Sequence, residues 1–129
     1  MLYIGGHAFN SHTTASELLS MGKYRATKLT PVMILTSEPY FVDFQGGLFT
    51  VDVAFANGAL LLGMLTPYTT GPASGLNDWN EYARLLKSIG MQVQAHDESF
   101  LQLRGDGTSI VCQRTATGIR ILFNFSNYI

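Results

Sequence analysis

The sequence predicts an α+β domain in which two helices pack on a largely antiparallel sheet of about six or seven strands. Two hairpin turn signals, Asn57-Gly58 and Asp106-Gly107, lie between apolar or alternating runs. A segment after residue 75 instead has apolar residues at helical spacing. With 129 residues, of which 47% are hydrophobic, the chain is long enough for one domain with its own core, residues 1–129.

The longer predicted helix follows residue 75. Asn77 or Asp78 supplies its N-cap, and Gly90 lies where a left-handed C-terminal cap belongs. Its apolar residues recur three or four apart and are Trp79, Tyr82, Ala83, Leu86 and Ile89. This spacing predicts a helix with one buried face.

The first third of the chain predicts a shorter helix and several weak strands. The helix covers residues 15–21 and ends before Gly22. Thr14 and Glu17 have capping-box spacing, in which each side chain accepts a hydrogen bond from the backbone amide of the other. The weak strand signals cover the first few residues, residues 32–36 and residues 40–44.

The first hairpin, residues 48–65, is predicted to have a second covered face besides its core face. A two-residue turn places one wholly apolar set on the core face, with Phe55 opposite Leu60, Val53 opposite Leu62 and Val51 opposite Met64. The other face pairs Ala54 with Leu61, Asp52 with Gly63 and Thr50 with Leu65. Because this second face is more apolar than a solvated face, we expect a helix or another chain to cover it.

The second hairpin and the strand after it predict a three-stranded meander. Its turns are Asp106-Gly107 and a loop over residues 115–118. The core face pairs Leu103 with Ile110, Leu101 with Cys112, Cys112 with Ile121 and Ile110 with Phe123. The opposite face is polar, with an apolar stripe that includes Val111 and Leu122.

Charge is scarce in this chain and nearly absent from its middle. Only 13% of the residues are charged, against about 25% in an average soluble domain. Between Asp43 and Asp78 the one charged residue is Asp52. A long neutral stretch is normally buried in its own core or against another molecule, so we expect a homo-oligomer. The net charge of −1 provides no strong field toward nucleic acid or an acidic membrane.

Catalytic sequence motifs are absent, which favours a protein without enzymatic activity. The chain has no Gly-rich phosphate loop, no Gly-x-Ser-x-Gly nucleophile elbow and no His-Glu-x-x-His metal helix. His7, His12 and His96 have no standard ligand spacing, so we expect solvated loop side chains. Cys112 is expected to be a buried structural thiol. We therefore predict no catalytic residue, no metal and no cofactor.

The candidate binding residues gather around Asp52. If Gly63 lies directly across from it, a gap opens beside the carboxylate, and a strand glycine often marks the close approach of a ligand or backbone. Asp52 is then either an anchor for a ligand or partner, or an outward charge that blocks aggregation near a sheet edge. The full predicted binding set is Asp52, Leu61, Gly63, Leu65, Tyr68 and Trp79.

Three function classes agree with these features. The first is a non-enzymatic interaction protein of the inhibitor, immunity or accessory type, which self-associates through the neutral hairpin face and binds a protein partner. The alternative is a small-molecule-binding domain or a modest enzyme with its site between the sheet and the loop over residues 66–75. The third, RNA binding through Arg104 and Arg120, is opposed by the negative net charge.

The sequence also bears on where the protein resides. Its first residues contain no basic region followed by a long apolar run, so we expect no signal peptide. The apolar run over residues 59–65 is too short for a membrane helix, which needs about 20 residues. The single cysteine excludes an intrachain disulfide. We therefore expect a cytoplasmic protein that does not enter a membrane.

Overall fold

The computed structural model describes residues 2–67, 76–105, 107–115 and 118–125, and of residues 76–78 it describes the backbone only. Within these residues the chain forms eleven strands and two helices. In chain order they are β1 (Leu2–Ile4), β2 (His7–Phe9), α1 (Ala15–Leu19), β3 (Arg25–Lys28), β4 (Met33–Thr36), β5 (Val42–Phe44), β6 (Gly47–Ala56), β7 (Ala59–Pro67), α2 (Leu76–Lys87), β8 (Gln92–His96), β9 (Phe100–Gly105), β10 (Thr108–Thr115) and β11 (Gly118–Phe125).

The large antiparallel sheet and the two helices are confirmed, but the fold is mostly β and has more strands than the six or seven predicted. The weak strand signals correspond to β1, β4 and β5, whereas β2 lies in a stretch that was expected to be a loop. Neither β3 nor β8 was predicted, and every residue of both strands is exposed. An exposed strand lacks the apolar alternation by which a strand is recognised.

Nine of the described strands form one antiparallel sheet with the spatial order β3-β4-β6-β7-β11-β10-β9-β8 and with β5 beside β6. β5 pairs with the first residues of β6, and β4 pairs with its later residues. β1 and β2 form a separate two-stranded sheet. The backbone amide of Gly5 joins this small sheet to β5 by donating to the carbonyl of Asp43 at 2.7 Å.

One face of the nine-stranded sheet, here called the inner face, carries the core. Two neighbouring rows of paired residues form its centre, namely Leu35, Val53, Gly63, Phe123, Ile110 and Leu103 in one row and Val51, Leu65, Ile121, Cys112 and Leu101 in the other. Trp79, Ala83 and Leu86 of α2 belong to the same buried cluster. The ring of Phe9 on β2 packs edge-on against the ring of Phe123, with centroids 6.0 Å apart. Helix α2 and the β1–β2 hairpin therefore cover the inner face.

Both helices form where they were expected, with differences at their ends. The capping box at the start of α1 is confirmed, with Thr14 as the N-cap and Glu17 as its partner, but the helix ends at Leu19. Helix α2 begins at Leu76, so residues 77 and 78 lie inside its first turn and neither is the N-cap. Gly90 has the positive φ of +89° expected after a helix end. Neither of these helices is both long and apolar enough to cross a membrane.

The β6–β7 hairpin turns at the expected Asn57-Gly58, but only the pairs next to the turn keep the predicted register. Phe55 pairs with Leu60 as expected. The next outward pair joins Ala54 to Leu62, so Leu61 is an extra residue in β7 without a partner in β6. This β-bulge shifts every later pair of the hairpin by one residue.

The bulge exchanges the two faces of β7 beyond Leu61. Asp52 pairs with Met64 instead of Gly63, while Gly63 pairs with Val53 and Leu65 pairs with Val51. Because side chains alternate between faces, a slip of one residue moves Gly63 and Leu65 to the inner face and Met64 to the opposite face. The predicted placement of Gly63 and Leu65 on the second hairpin face is therefore wrong.

The meander of β9, β10 and β11 has the predicted register. Its core pairs are Leu103 with Ile110, Leu101 with Cys112, Cys112 with Ile121 and Ile110 with Phe123. Residues 106, 116 and 117, which belong to its predicted turns, lie outside the described residues.

Candidate functional site

The sheet face that points away from the core, here called the outer face, is also apolar at its centre. One row of paired residues crosses its five central strands, and we call this set the outer row: Asp52, Met64, Leu122, Val111 and Gln102. All five side chains are half-buried. The outer row is thus an apolar stripe with a carboxylate at one end and an amide at the other.

The residues beside the outer row are mostly small or uncharged. The two flanking sets on the same strands are Ala54, Leu62, Asn124, Ser109 and Arg104 on one side, and Thr50, Thr66, Arg120, Gln113 and Phe100 on the other. The charged members of this five-strand surface are Asp52, Arg104 and Arg120. A surface of this area normally holds more charged side chains. The shortage of charged residues that the sequence shows is therefore found on the outer face.

The bulge in β7 adds apolar surface near the turn. Leu61 and Leu62 are adjacent in sequence, yet their side chains are 50% and 41% exposed. In a regular strand one of the two would point into the core. Leu61, which was predicted to pair with Ala54 on the second hairpin face, is instead the exposed extra residue of the bulge, and Leu62, which was expected in the core, is exposed beside it.

Asp52 projects from the outer face as predicted, but its cross-strand neighbours are Thr36 and Met64. The one ion pair among the described residues joins His7 to Glu17, so Asp52 has no ion-pair partner within them. The same holds for Arg104 and Arg120. The charges of the outer face are thus available to a second molecule.

Gly63 does mark a close approach, but the group that approaches it comes from the same chain. A Cβ atom added to Gly63 would lie 2.0 Å from Cζ of Phe123, its partner across β7 and β11. The Phe123 ring therefore occupies the space above the glycine backbone. Leu65 is fully buried in the next row of the inner face. Neither Gly63 nor Leu65 is accessible to a binding partner.

The two aromatic candidates have different outcomes. Tyr68 and residues 69–75 of the predicted binding loop lie outside the described residues. Trp79 is buried in the core with 2% of its surface exposed. It forms one wall of a cleft of about 360 Å³ that Asn80 and the β8–β9 turn, residues 96–98, also line.

The three histidines do not converge on a metal site. The expected solvated loop position is wrong for His7, which lies on β2, is half-buried and pairs with Glu17 on α1. His12 lies in the loop before α1, and His96 ends β8. No three His, Cys, Asp or Glu side chains are grouped to hold a metal ion in the part of the chain that the structure describes. The His7–Glu17 pair links the small sheet to α1, which is a structural role.

Two buried titratable groups also belong to the core. Burial raises the pKa of the Cys112 thiol to about 12 and that of the Tyr24 hydroxyl to about 12. A reactive thiol needs a lowered pKa and access, so the expected structural role of Cys112 is supported by its burial. The Tyr24 hydroxyl is buried without a hydrogen-bond partner among the described residues.

A second cleft, of about 490 Å³, lies between the β5–β6 turn and α2. Its walls are Gln45, Gly46, Gly47, Glu81, Tyr82, Arg84, Leu85 and Ser88. Gln45 has a φ of +53°, in the left-handed region that residues other than glycine and asparagine rarely adopt. The volume lies within the usual range of small-molecule sites, roughly 300–1,000 Å³.

The two edges of the sheet are both unsuited to pairing with another strand. β3 is fully exposed, carries Arg25 and Lys28, and has a bulge between Ala26 and Lys28. β8 is fully exposed and has a bulge between Val93 and Ala95. Bulges and basic side chains on edge strands prevent edge-to-edge association.

Comparison of the chain with protein-family models, curated proteins and solved structures finds no match. The surfaces described above are therefore what bears on the function of the protein. Among them, sequence reasoning missed that Met64 and Leu62 belong to the outer face, because the bulge at Leu61 leaves no signal in a run of three leucines.

Proposed function

We propose that the protein is a non-enzymatic interaction protein, of the inhibitor, immunity or accessory type, whose outer face binds a second copy of itself. The observation that carries this proposal is the outer row, in which Met64, Leu122 and Val111 form a continuous apolar stripe across the middle of the sheet. Covering an apolar stripe of this kind removes it from water, which is the main favourable term in association.

The outer face is large enough to form much of a dimer interface. Five strands about 4.8 Å apart span about 19 Å from the first to the last, and strands of six to ten residues run about 20–33 Å. The resulting patch of about 400–600 Å² is half to three-quarters of the roughly 800 Å² per partner of a standard protein interface. Leu61 and Leu62 extend it toward the turn.

The distribution of charge, and the bulges in the edge strands β3 and β8, favour self-association through the outer face over pairing through an edge of the sheet. Among the charged side chains of this five-strand surface, only Asp52, Arg104 and Arg120 lose water or find partners when it is covered. The net charge of −1 gives little repulsion between copies. Pairing through β3 or β8 is opposed by their bulges.

The proposal is tested by the mass of the protein in solution. Sedimentation equilibrium on the wild type should give a multiple of 14.1 kDa. Leu62→Glu places a charge in the exposed apolar surface beside the outer row and should give a folded monomer. Leu29→Glu is the matched control, because Leu29 is 65% exposed in the loop between β3 and β4, and it should keep the wild-type mass.

Two results would contradict self-association through this face. One is a wild-type monomer at the highest soluble concentration. The other is an unchanged mass for Leu62→Glu, which would place any interface elsewhere on the molecule.

A second candidate function, small-molecule binding, is favoured by the cleft of about 490 Å³ beside α2. Its Glu81 and Arg84 side chains offer opposite charges on one helix face, and neither has an ion-pair partner among the described residues. A ligand at 100 times its Kd stabilises a protein by about 2.7 kcal/mol. A metabolite panel should therefore contain a compound that raises Tm in the wild type but not in Arg84→Gln; a panel that leaves Tm unchanged would contradict it.

A further inference from the structure

We infer that two copies pack outer face to outer face about a twofold axis that runs along β11, so that Asp52 of each copy lies against the Arg104 end of the other. This inference rests on the proposed function and adds the geometry of the contact. It is carried by the positions of Asp52 and Arg104 relative to β11.

β11 is the middle strand of the outer face. Asp52 lies on β6, two strands to one side, and Arg104 lies on β9, two strands to the other side. Strands are spaced about 4.8 Å apart, so each charge lies about 10 Å from β11. A twofold axis parallel to the strands at β11 therefore brings β6 of one copy over β9 of the other.

The same axis matches the apolar part of the outer row. Leu122 of one copy faces Leu122 of the other. One strand away from the axis, Met64 faces Val111 of the second copy. Asp52 faces Gln102 of the second copy, and Arg104 is two residues from Gln102, about 7 Å along the strand. That separation is within the reach of an arginine side chain. Aligned packing of two sheets is a common arrangement in β proteins.

This arrangement also makes one unfavourable contact, which provides a test of the position of the axis. Arg120 lies on β11 itself, two residues from Leu122, so Arg120 of one copy faces Arg120 of the other. Two like charges in close apposition weaken association. Replacing Arg120 by a neutral residue removes this repulsion and should thus strengthen the dimer.

The test exchanges the two end charges between copies. Asp52→Arg alone places two arginines at each end of the contact, and Arg104→Asp alone places two aspartates there, so each variant should dimerise at least about tenfold more weakly than the wild type. In an equimolar mixture of the two variants, both ends of the heterodimer join an arginine to an aspartate. Native mass spectrometry of the mixture should show the heterodimer as the dominant dimer, at close to the wild-type affinity.

Further measurements separate this inference from the proposed function. Arg120→Gln should lower the Kd of the wild-type dimer by about threefold or more. A wild-type dimer whose two charge variants do not form the heterodimer, or an Arg120→Gln variant with a higher Kd, would overturn the axis while leaving self-association intact. A wild-type monomer would overturn the proposed function and the axis together.

Discussion

The inner and outer faces of the β-sheet are both apolar at the centre, but they differ in what covers them. On the inner face, the Phe123 ring lies on Gly63, the Phe9 ring lies on Phe123, and Trp79 of α2 is buried beside them. On the outer face, Met64 and Leu122 remain half-buried and Leu62 is 41% exposed. Apolar composition alone therefore does not identify the core of this protein.

The difference between the faces separates residues that fold the chain from residues that remain available for a partner. Leu62 and Leu65 have the same side chain and lie three residues apart in β7, yet Leu65 is fully buried and Leu62 is not. The first stabilises the fold by burying its surface within the chain, and the second gains the same energy only when another molecule covers it. Substitutions on the two faces should thus have different effects.

The largest difference is expected between Leu65→Glu and Leu62→Glu. The first removes a fully buried leucine, which alone costs about 2–5 kcal/mol, and adds an unpaired buried charge, so the variant should not fold. The second places its charge at the outer face and should keep the circular dichroism spectrum and cooperative unfolding of the wild type. A folded Leu65→Glu variant or an unfolded Leu62→Glu variant would reverse the assignment of the two faces.

The next effect tests the contact between Gly63 and Phe123. Gly63→Ala puts a methyl group where the ring lies, so the free energy of unfolding should fall by about 1–3 kcal/mol or more. The control is Gly105→Ala, whose new Cβ would meet Met91 at an ordinary 3.5 Å. Chemical denaturation of both variants measures the difference, and equal stabilities would show that Phe123 does not occupy this position.

A smaller effect, dependent on pH, tests the closure of the inner face. The pKa of Cys112 is about 12 in the fold, against an ordinary value of 9.0. Above about pH 9 the unfolded chain loses this proton while the folded chain keeps it, so stability should fall by about 1.4 kcal/mol per pH unit. Cys112→Ala should reduce that slope between pH 9 and 10, where Tyr24, whose ordinary pKa is 10.0, contributes less than Cys112. An unchanged slope would indicate that the thiol is exposed to water.

The two hairpins show how far sequence reasoning reaches in this fold. In the meander, polar residues such as Gln102 and Gln113 alternate with apolar ones and mark which face each strand presents, so the whole register was predictable. In β7, Leu60, Leu61 and Leu62 are identical, and no pattern shows which of them is the extra residue of a bulge. The turn and the faces of β6 were therefore predictable, but the faces of the β7 residues beyond Leu61 were not.

Only part of the outer face could be predicted from the sequence. The neutrality of the middle of the chain was visible in the sequence, and the Asn57-Gly58 turn correctly placed Asp52 and Leu61 away from the core. The partner of Asp52 depended on the bulge, and the order of the strands depended on pairings between β7 and β11 that are distant in sequence. The outer row was therefore recognisable only in three dimensions.

Cross-linking through residue 122 is the most direct measurement of whether a second copy covers the outer face. In Leu122→Cys, the new thiols of two copies should face each other across sheets about 10 Å apart, within reach of a short bis-maleimide, while Cys112 is buried and unreactive. We expect a cross-linked product of two chains from Leu122→Cys and single chains from the wild type and from the exposed control Leu29→Cys. If Leu122→Cys reacts fully with a monofunctional maleimide but cross-links no more than Leu29→Cys, the outer face is not covered by a second copy.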